Sequence, residues 1–326
     1  MAVRLKDIAD KAGVSLTTVA HVMNGYTKSG IKPETWQRVQ KIADDLGYRP
    51  NAIARSLRFQ KTHTIGVYSG YEYRSMRDPF LAEVYTGIQK ACDELGYDYL
   101  VRSDMHGKTP AEIRLRLGDG KIDGIVIHAP AHDPVVDYVV ARKLPAIAIA
   151  DRQPHLPSMV ADDVQGMGLL VDYLWDRGHR NIWYLTSVMR LESIVARSEK
   201  FEELMLARGG RSKVVPFPVD DTAGFLRTLM AQPDRPTAIC CWNDYYAYEL
   251  LKHSIREGIK VPQSLAVVGF DGLLETRLPA RDLVTVSAPW ETMAYDAVKL
   301  LVKSLDGEPA PAATVVPVIL IPGDTA

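Results

Sequence analysis

Cysteine is scarce in this 326-residue sequence: Cys92 and the adjacent pair Cys240 and Cys241 are the only three. An odd number without a C-x-x-C spacing excludes a disulfide framework and a cysteine-built zinc site, and predicts three small buried hydrophobes. Long apolar runs are missing too. No stretch approaches the roughly 20 residues of a membrane span. Met1 to Asp10 mixes charges where an export signal would need a basic start and then an apolar core, so a cytoplasmic location is expected. Catalytic and metal signatures are lacking. No G-x-S-x-G elbow or Ser/His/Asp order stands out, and "GDGKIDG" has no phosphate-loop context, so it is expected to be a turn before a strand at Ile125. His128 and His132 are four apart, but Pro130 between them prevents the helical geometry of a metal pair. No enzyme activity, cofactor or metal is expected.

What is present is an ordinary globular composition, 47% apolar and 24% charged, in a chain longer than one core usually fills. The net charge of -1 hides an asymmetry. Residues 1–60 hold ten Lys/Arg against five Asp/Glu, a balance of +5 that leaves -6 for the rest. A basic head on an acidic body suggests that the head meets a polyanion.

The head reads as three helices. Leu5, Ile8, Ala9 and Ala12 have helical spacing, broken by Gly13. Ser15 is a natural N-cap for a second helix from about Leu16 to Met23. On it Val19, Val22 and Met23 make an apolar face, with Thr17, Thr18 and His21 roughly opposite. Pro33 and Thr35 open a third helix, striped by Val39, Ile42, Ala43 and Leu46 and stopped by Gly47. Two short helices around a tight glycine turn, with a third in support, form a helix-turn-helix whose second helix can enter a major groove.

The run "VRLKDIADKAGVSLTTVAHVMNG", continued by "ETWQRVQKIADDLGYRPNAIARSLR", resembles the DNA-binding headpiece and hinge of the LacI family of bacterial transcription regulators; its "VS-x-TTV-x-HV" portion is most similar to the purine-repressor branch. The resemblance implies that Ser15, Leu16, Thr17, Thr18, His21 and Asn24 meet DNA. Residues 50–58, "PNAIARSLR", with an N-cap candidate in Asn51, are too short for a stable isolated helix. In the family this segment forms a hinge helix in the minor groove. That implies DNA contacts from Asn51, Ala54, Leu57 and Arg58, with Leu57 wedged between central base pairs.

From Thr64 short apolar strands alternate with helices: "TIGVYSG", "YDYLVRS", "DGIVIHA" and "AIAIAD", then "NIWYLT", "KVVPFP", "TAICCWND" and "LAVVGFDG". Two such series predict two similar parallel α/β lobes, and ligands in such sheets bind beyond the strand C-termini. The fold expected is an all-α helix-turn-helix headpiece with a hinge helix, then a two-lobed, periplasmic-binding-protein-like α/β effector domain. The divisions are 1–49 for the head, 50–62 for the hinge and 63–326 for the body. Lobe 1 is expected over about 63–161 plus 290–306 and lobe 2 over about 162–289 plus 307–326, with crossings near Asp162 and Pro289.

Strand-end positions nominate Asp151, Asn243, Asp244, Asp271 and Trp290 for the cleft, with Ser69, Phe80, Ser193 and Trp242 as further candidates. The resemblance implies that Arg197 and Asp271 face the effector, with an Arg-Asp pair that only braces the lobe as the alternative. A guanidinium, a carboxylate and aromatic faces suit a sugar-like ligand first and a nucleobase second. Four residues depart from the family pattern: Lys200, Ala288, Trp36 and Ala20. The reading is a homodimeric repressor, with a tetramer left open, on a palindromic, double-stranded DNA operator, switched by a small molecule and without a membrane partner. Its rival is a solute-binding protein or sugar-metabolising enzyme on the same body.

Overall fold

Local signals set the head. Helix α1 (Leu5–Ala12) begins where the Asp7 carboxylate accepts the Arg4 backbone N–H at 2.8 Å, and ends at Gly13, whose φ of 63° favours a residue without Cβ. Helix α2 (Leu16–Met23) follows Ser15, whose Oγ accepts the Thr18 backbone N–H at 3.0 Å. Helix α3 (Pro33–Asp45) opens on proline, whose fixed φ and missing N–H suit a first turn. Ile8, Ala9, Ala12, Val19, Val22, Val39 and Ala43 form the buried core, and Trp36 packs against it.

The structure is a computed structural model that describes residues 3–23, 25–26, 30–49, 56, 61–71, 78–102, 105, 107–188, 191–273 and 281–326. Asn24, Asn51, Ala54, Leu57 and Arg58 lie outside the described residues, as does most of the expected hinge helix. The chain divides into two units between Thr62 and His63.

In the second unit strands and helices alternate: β1 (Thr64–Ser69), α4 (Pro79–Leu95), β2 (Asp98–Val101), α5 (Pro110–Leu117), β3 (Gly124–His128), α6 (Pro134–Arg142), β4 (Ala146–Ile149) and β5 (Ser158–Ala161). A second series takes in α7 (Asp163–Asp176), β6 (Asn181–Thr186), α8 (Glu192–Ala207), β7 (Arg211–Pro216), α9 (Thr222–Met230), β8 (Ala238–Cys241), α10 (Asp244–Arg256), β9 (Ala266–Asp271) and β10 (Val284–Ser287). Helix α11 (Trp290–Leu305) and strands β11 (Ala313–Val316) and β12 (Ile319–Ile321) come last. The first sheet runs β11-β5-β4-β3-β1-β2, all parallel. The second runs β12-β10-β9-β8-β6-β7 and is parallel except where β12 meets β10. Helices cover both faces, so the central strands are buried apart from His128 at the end of β3. Cys92, Cys240 and Cys241 are buried and free.

One expected boundary needs correction. Residues 307–326 do not all belong to the second lobe, because β11 pairs with β5 in the first sheet, Ala313 opposite Ser158. Helix α11 packs on the first lobe, and the short connection after it reaches that sheet's edge. The chain therefore crosses a third time, at Pro317, between β11 and β12. Two of the crossings are tied together, since the Asp162 N–H donates to the Val316 carbonyl at 2.9 Å.

Helices α4 and α11 cross at Gly87, where a Cβ would stand 2.0 Å from the Glu291 carbonyl oxygen. Backbone cannot yield as a side-chain tip can. Gly87→Ala is expected to lower the unfolding free energy by about 1–3 kcal/mol despite alanine's better helix propensity. Calorimetry should show a lower Tm, and an unchanged Tm would mean that the helices part at no cost.

Candidate functional site

The head presents α2. Leu16 is 53% exposed, Thr17 is exposed, and Thr18 and His21 are half-buried beside it, while Ala20 is buried. The Ser15 and Thr18 hydroxyls lie 2.8 Å apart, so the cap also links the two residues nearest the helix start. Thr17 and His21, one turn apart, are thus carried on a helix fixed at its N-terminus.

In the body the second lobe is organised by one buried cation. Arg197, on α8, donates from Nε to Asp163 Oδ1 at 2.6 Å and from a terminal nitrogen to the Trp242 carbonyl at 2.7 Å. Its guanidinium lies 3.5 Å from the Phe270 ring centroid, and Asp271 Oδ1 is 3.9 Å away. Burial pushes the Asp163 carboxyl up to about 6, although Arg197 pulls the other way. Burial raises Asp271 well above the usual carboxylate range, again against Arg197. Asp244 is likewise pushed up to about 6 by burial, opposed by the Thr285 hydroxyl and the backbone N–H groups of Leu273 and Gly272. The Leu273 N–H and Thr285 Oγ1 reach it at 2.7 and 2.5 Å, so Asp244 holds the loop after β9.

Asp271 sits at φ 127°, a strained setting for a non-glycine residue that costs about 1–3 kcal/mol and tends to mark functional sites. The Trp290 indole N–H donates to its carbonyl at 3.0 Å and holds the bend. Asp271 and Trp290 line a cavity of about 410 Å³, together with Pro79, Glu83, Ala288 and Thr292.

The two lobes touch through Asp151. Its carboxylate, beyond β4 of the first lobe, accepts the Ser193 hydroxyl at 2.7 Å and the Ser193 backbone N–H at 3.1 Å. Ser193 stands in the first turn of α8, where such N–H groups have no partner within the helix. Around this contact gather rings from the first lobe and the crossing: Phe80 edge-on to Trp290 at 4.8 Å, His128 at 5.2 Å from Phe80, and Tyr71 at 4.8 Å from His128. Burial lowers the His128 pKa, with Asp151 opposing. Tyr71 Oη and Trp242 Nε1 are buried without a hydrogen-bond partner among the described residues.

The strand-end candidates thus separate into groups. Asp271 and Trp290 reach the cavity; Asp151 and Ser193 join the lobes; Phe80 belongs to the ring cluster. Ser69, at the end of β1, accepts the Tyr71 N–H at 3.4 Å. Arg197 and Trp242 form the brace, so bracing, weighed as the alternative for Arg197, describes its contacts here. Asn243 caps α10, its side chain accepting the Tyr246 N–H at 3.0 Å. Sequence reasoning missed Asp163, Tyr71 and His128 as cleft residues. His128 ends the strand "GIVIH" and carries the same strand-end signal as Asp151. Of the departures, Lys200 pairs with Glu203 at 2.6 Å, and Ala288 is buried on the cavity wall.

Two family profiles match this chain: bacterial regulatory proteins of the lacI family over residues 4–51, and a periplasmic binding protein-like domain over residues 171–326. The HTH-type transcriptional repressor PurR of Photobacterium profundum is 29% identical over 310 residues, 92% of this chain and 91% of its own. Among solved structures, the lac repressor dimer bound to operator and the anti-inducer ONPF has a TM-score of 0.83 at 21% identity, with 100% of this chain and 99% of that one covered. The transcriptional regulator CelR–cellobiose complex scores 0.72 at 23% identity, covering 99% and 100%. Identities this low carry the fold and nothing finer.

Removing Arg197 leaves the Asp163 carboxylate buried and unpaired. Arg197→Ala is therefore expected to cost about 3–5 kcal/mol of unfolding free energy, with part restored in Arg197→Ala/Asp163→Ala. The pH sign follows from Asp163 itself, whose folded value of about 6 lies above its ordinary 3.8. Between those values the folded chain holds a proton that the unfolded chain lacks, so this group's contribution grows as pH falls from 7 towards 4 and shrinks as pH rises. Urea unfolding of wild type and Asp163→Asn across this range should show the difference changing in that direction; a pH-independent difference would remove the argument.

Proposed function

We propose that this chain is a DNA-binding transcription regulator of the lacI type with an effector-binding body, and that it acts as a homodimeric cytoplasmic repressor of a palindromic operator. Its relatives are transcriptional repressors rather than enzymes. One head covers one half-site, and two-fold proteins read two-fold sites. The observation that carries the DNA reading is the Ser15-capped α2, with Thr17 exposed and His21 one turn on. Thr17 and His21 read base edges; Ser15 and Thr18 hold phosphates; Leu57, in the hinge, wedges at the centre of the site.

The effector sits between the lobes. Aromatic rings beside buried carboxylates, Asp271 above all, and two donors without partners among the described residues, Tyr71 Oη and Trp242 Nε1, favour a small hydroxyl-bearing ring such as a sugar. Gripping both lobes, it changes the balance of lobe arrangements and hence operator affinity. A thermal-shift screen over sugars, sugar phosphates and nucleobases finds it, since a ligand at 100 times its dissociation constant stabilises by about 2.7 kcal/mol.

The operator is obtained by selecting genomic fragments with the full chain. His21→Ala should then reorder the preference among operator variants and cost about 1–3 kcal/mol on the best site; uniform weakening on all sequences would assign His21 to phosphate instead. Asp271→Asn should bind the operator nearly as wild type does yet lose the response to the effector found in the screen. Wild-type effector affinity in calorimetry would take Asp271 out of the ligand's reach.

A further inference from the structure

Helix α2 ends in a way that places a second side chain on its reading face. The Gly25 N–H donates to the Val22 carbonyl at 3.2 Å and the Tyr26 N–H to the His21 carbonyl at 2.9 Å, with Gly25 at φ 68°. This pair of bonds around a left-handed residue is the Schellman ending, in which the side chain two positions past the helix cap commonly packs on the one a turn earlier. In most helices that contact is apolar and faces the core. Here its two members are Tyr26 and His21, with ring centroids 5.3 Å apart and planes at 37°.

Tyr26 is 57% exposed, and it is not among the residues that form or pack on the head's core. The tilted contact with His21 gives the ring at this position a role outside that core. A half-buried imidazole still samples several rotamers, and ordering it on DNA costs binding free energy. A ring packed against it at this distance and tilt removes part of that cost beforehand and restricts where its nitrogens can point.

The geometry points to Tyr26 as a specificity-determining residue that positions the His21 imidazole for base reading. The inference rests on the operator reading above and adds to it a residue outside the recognition helix. The backbone bonds of the ending involve no side chain of Tyr26, so replacing that side chain leaves the turn its N–H and its glycine.

The test measures how well the full-length protein distinguishes its selected operator from single-base variants in each half-site. Tyr26→Ala should reduce discrimination at the base pair that His21→Ala identifies by about two- to tenfold, the usual range for an aromatic pair. Discrimination elsewhere and the Tm should stay unchanged. Tyr26→Phe, which keeps the ring, should restore it, and in the His21→Ala background Tyr26→Ala should add nothing. Uniform weakening on all DNA would make Tyr26 a backbone contact and overturn the inference, as would unchanged discrimination. If His21→Ala itself alters no base preference, the operator reading fails first and this inference falls with it. If His21→Ala does alter it and Tyr26→Ala does not, only the role of Tyr26 is lost.

Discussion

A guanidinium buried to 4% exposure must be met on all sides, and the second lobe is arranged around that requirement. Arg197 takes a carboxylate from the start of α7, a carbonyl from the end of β8, and the ring and neighbouring carboxylate at the end of β9. One helix start and two strand ends, far apart in sequence, are thereby held against one helix. Desolvating such a cluster is costly, and its value as a stabiliser over an apolar replacement is small or negative. What it provides is placement. Asp271 is kept beside the cavity in a backbone setting that would relax if its surroundings loosened.

The same helix links the lobes. Asp151 reaches across to the first turn of α8 and meets both the hydroxyl and the N–H of Ser193. Hydrogen bonds to a charged group contribute about 1.5–3 kcal/mol each at most, which is comparable with typical coupling energies of 1–3 kcal/mol. A latch of that size holds one lobe arrangement without making it permanent, and a ligand shifts the balance only by its differential affinity for the two arrangements. Brace and latch share α8: Ser193 meets the first lobe one turn before Arg197 anchors the second. Changes at the cleft are thus felt on a single rigid element.

The head was legible in the sequence because its determinants are local. Glycine stops, a serine cap, an N-terminal proline and a 3.6-residue period all act within a few positions, and α1, α2 and α3 follow them closely. The eight strands quoted from the sequence were legible as apolar runs between helices. Strands β5, β10, β11 and β12 were not among them, being three or four residues long, and β11, defined by pairing with distant β5, went to the wrong lobe. At the candidate site, strand-end logic named Asp151, which meets Ser193, and Asp271 and Trp290, which line the cavity. It missed Asp163, whose partner lies 34 residues on, and it could not see that the Asn243 side chain is engaged in capping α10.

The account stands on coupling between the cleft and the operator, and one linkage measurement tests it most directly. The effector from the thermal-shift screen is titrated into the free protein and into the operator complex, and operator affinity is measured with and without that effector. The two affinity ratios must agree, and the account predicts a common factor of about 5 to 150. Ratios of one in both titrations, with effector and operator each bound tightly, would show that the cleft does not control the head.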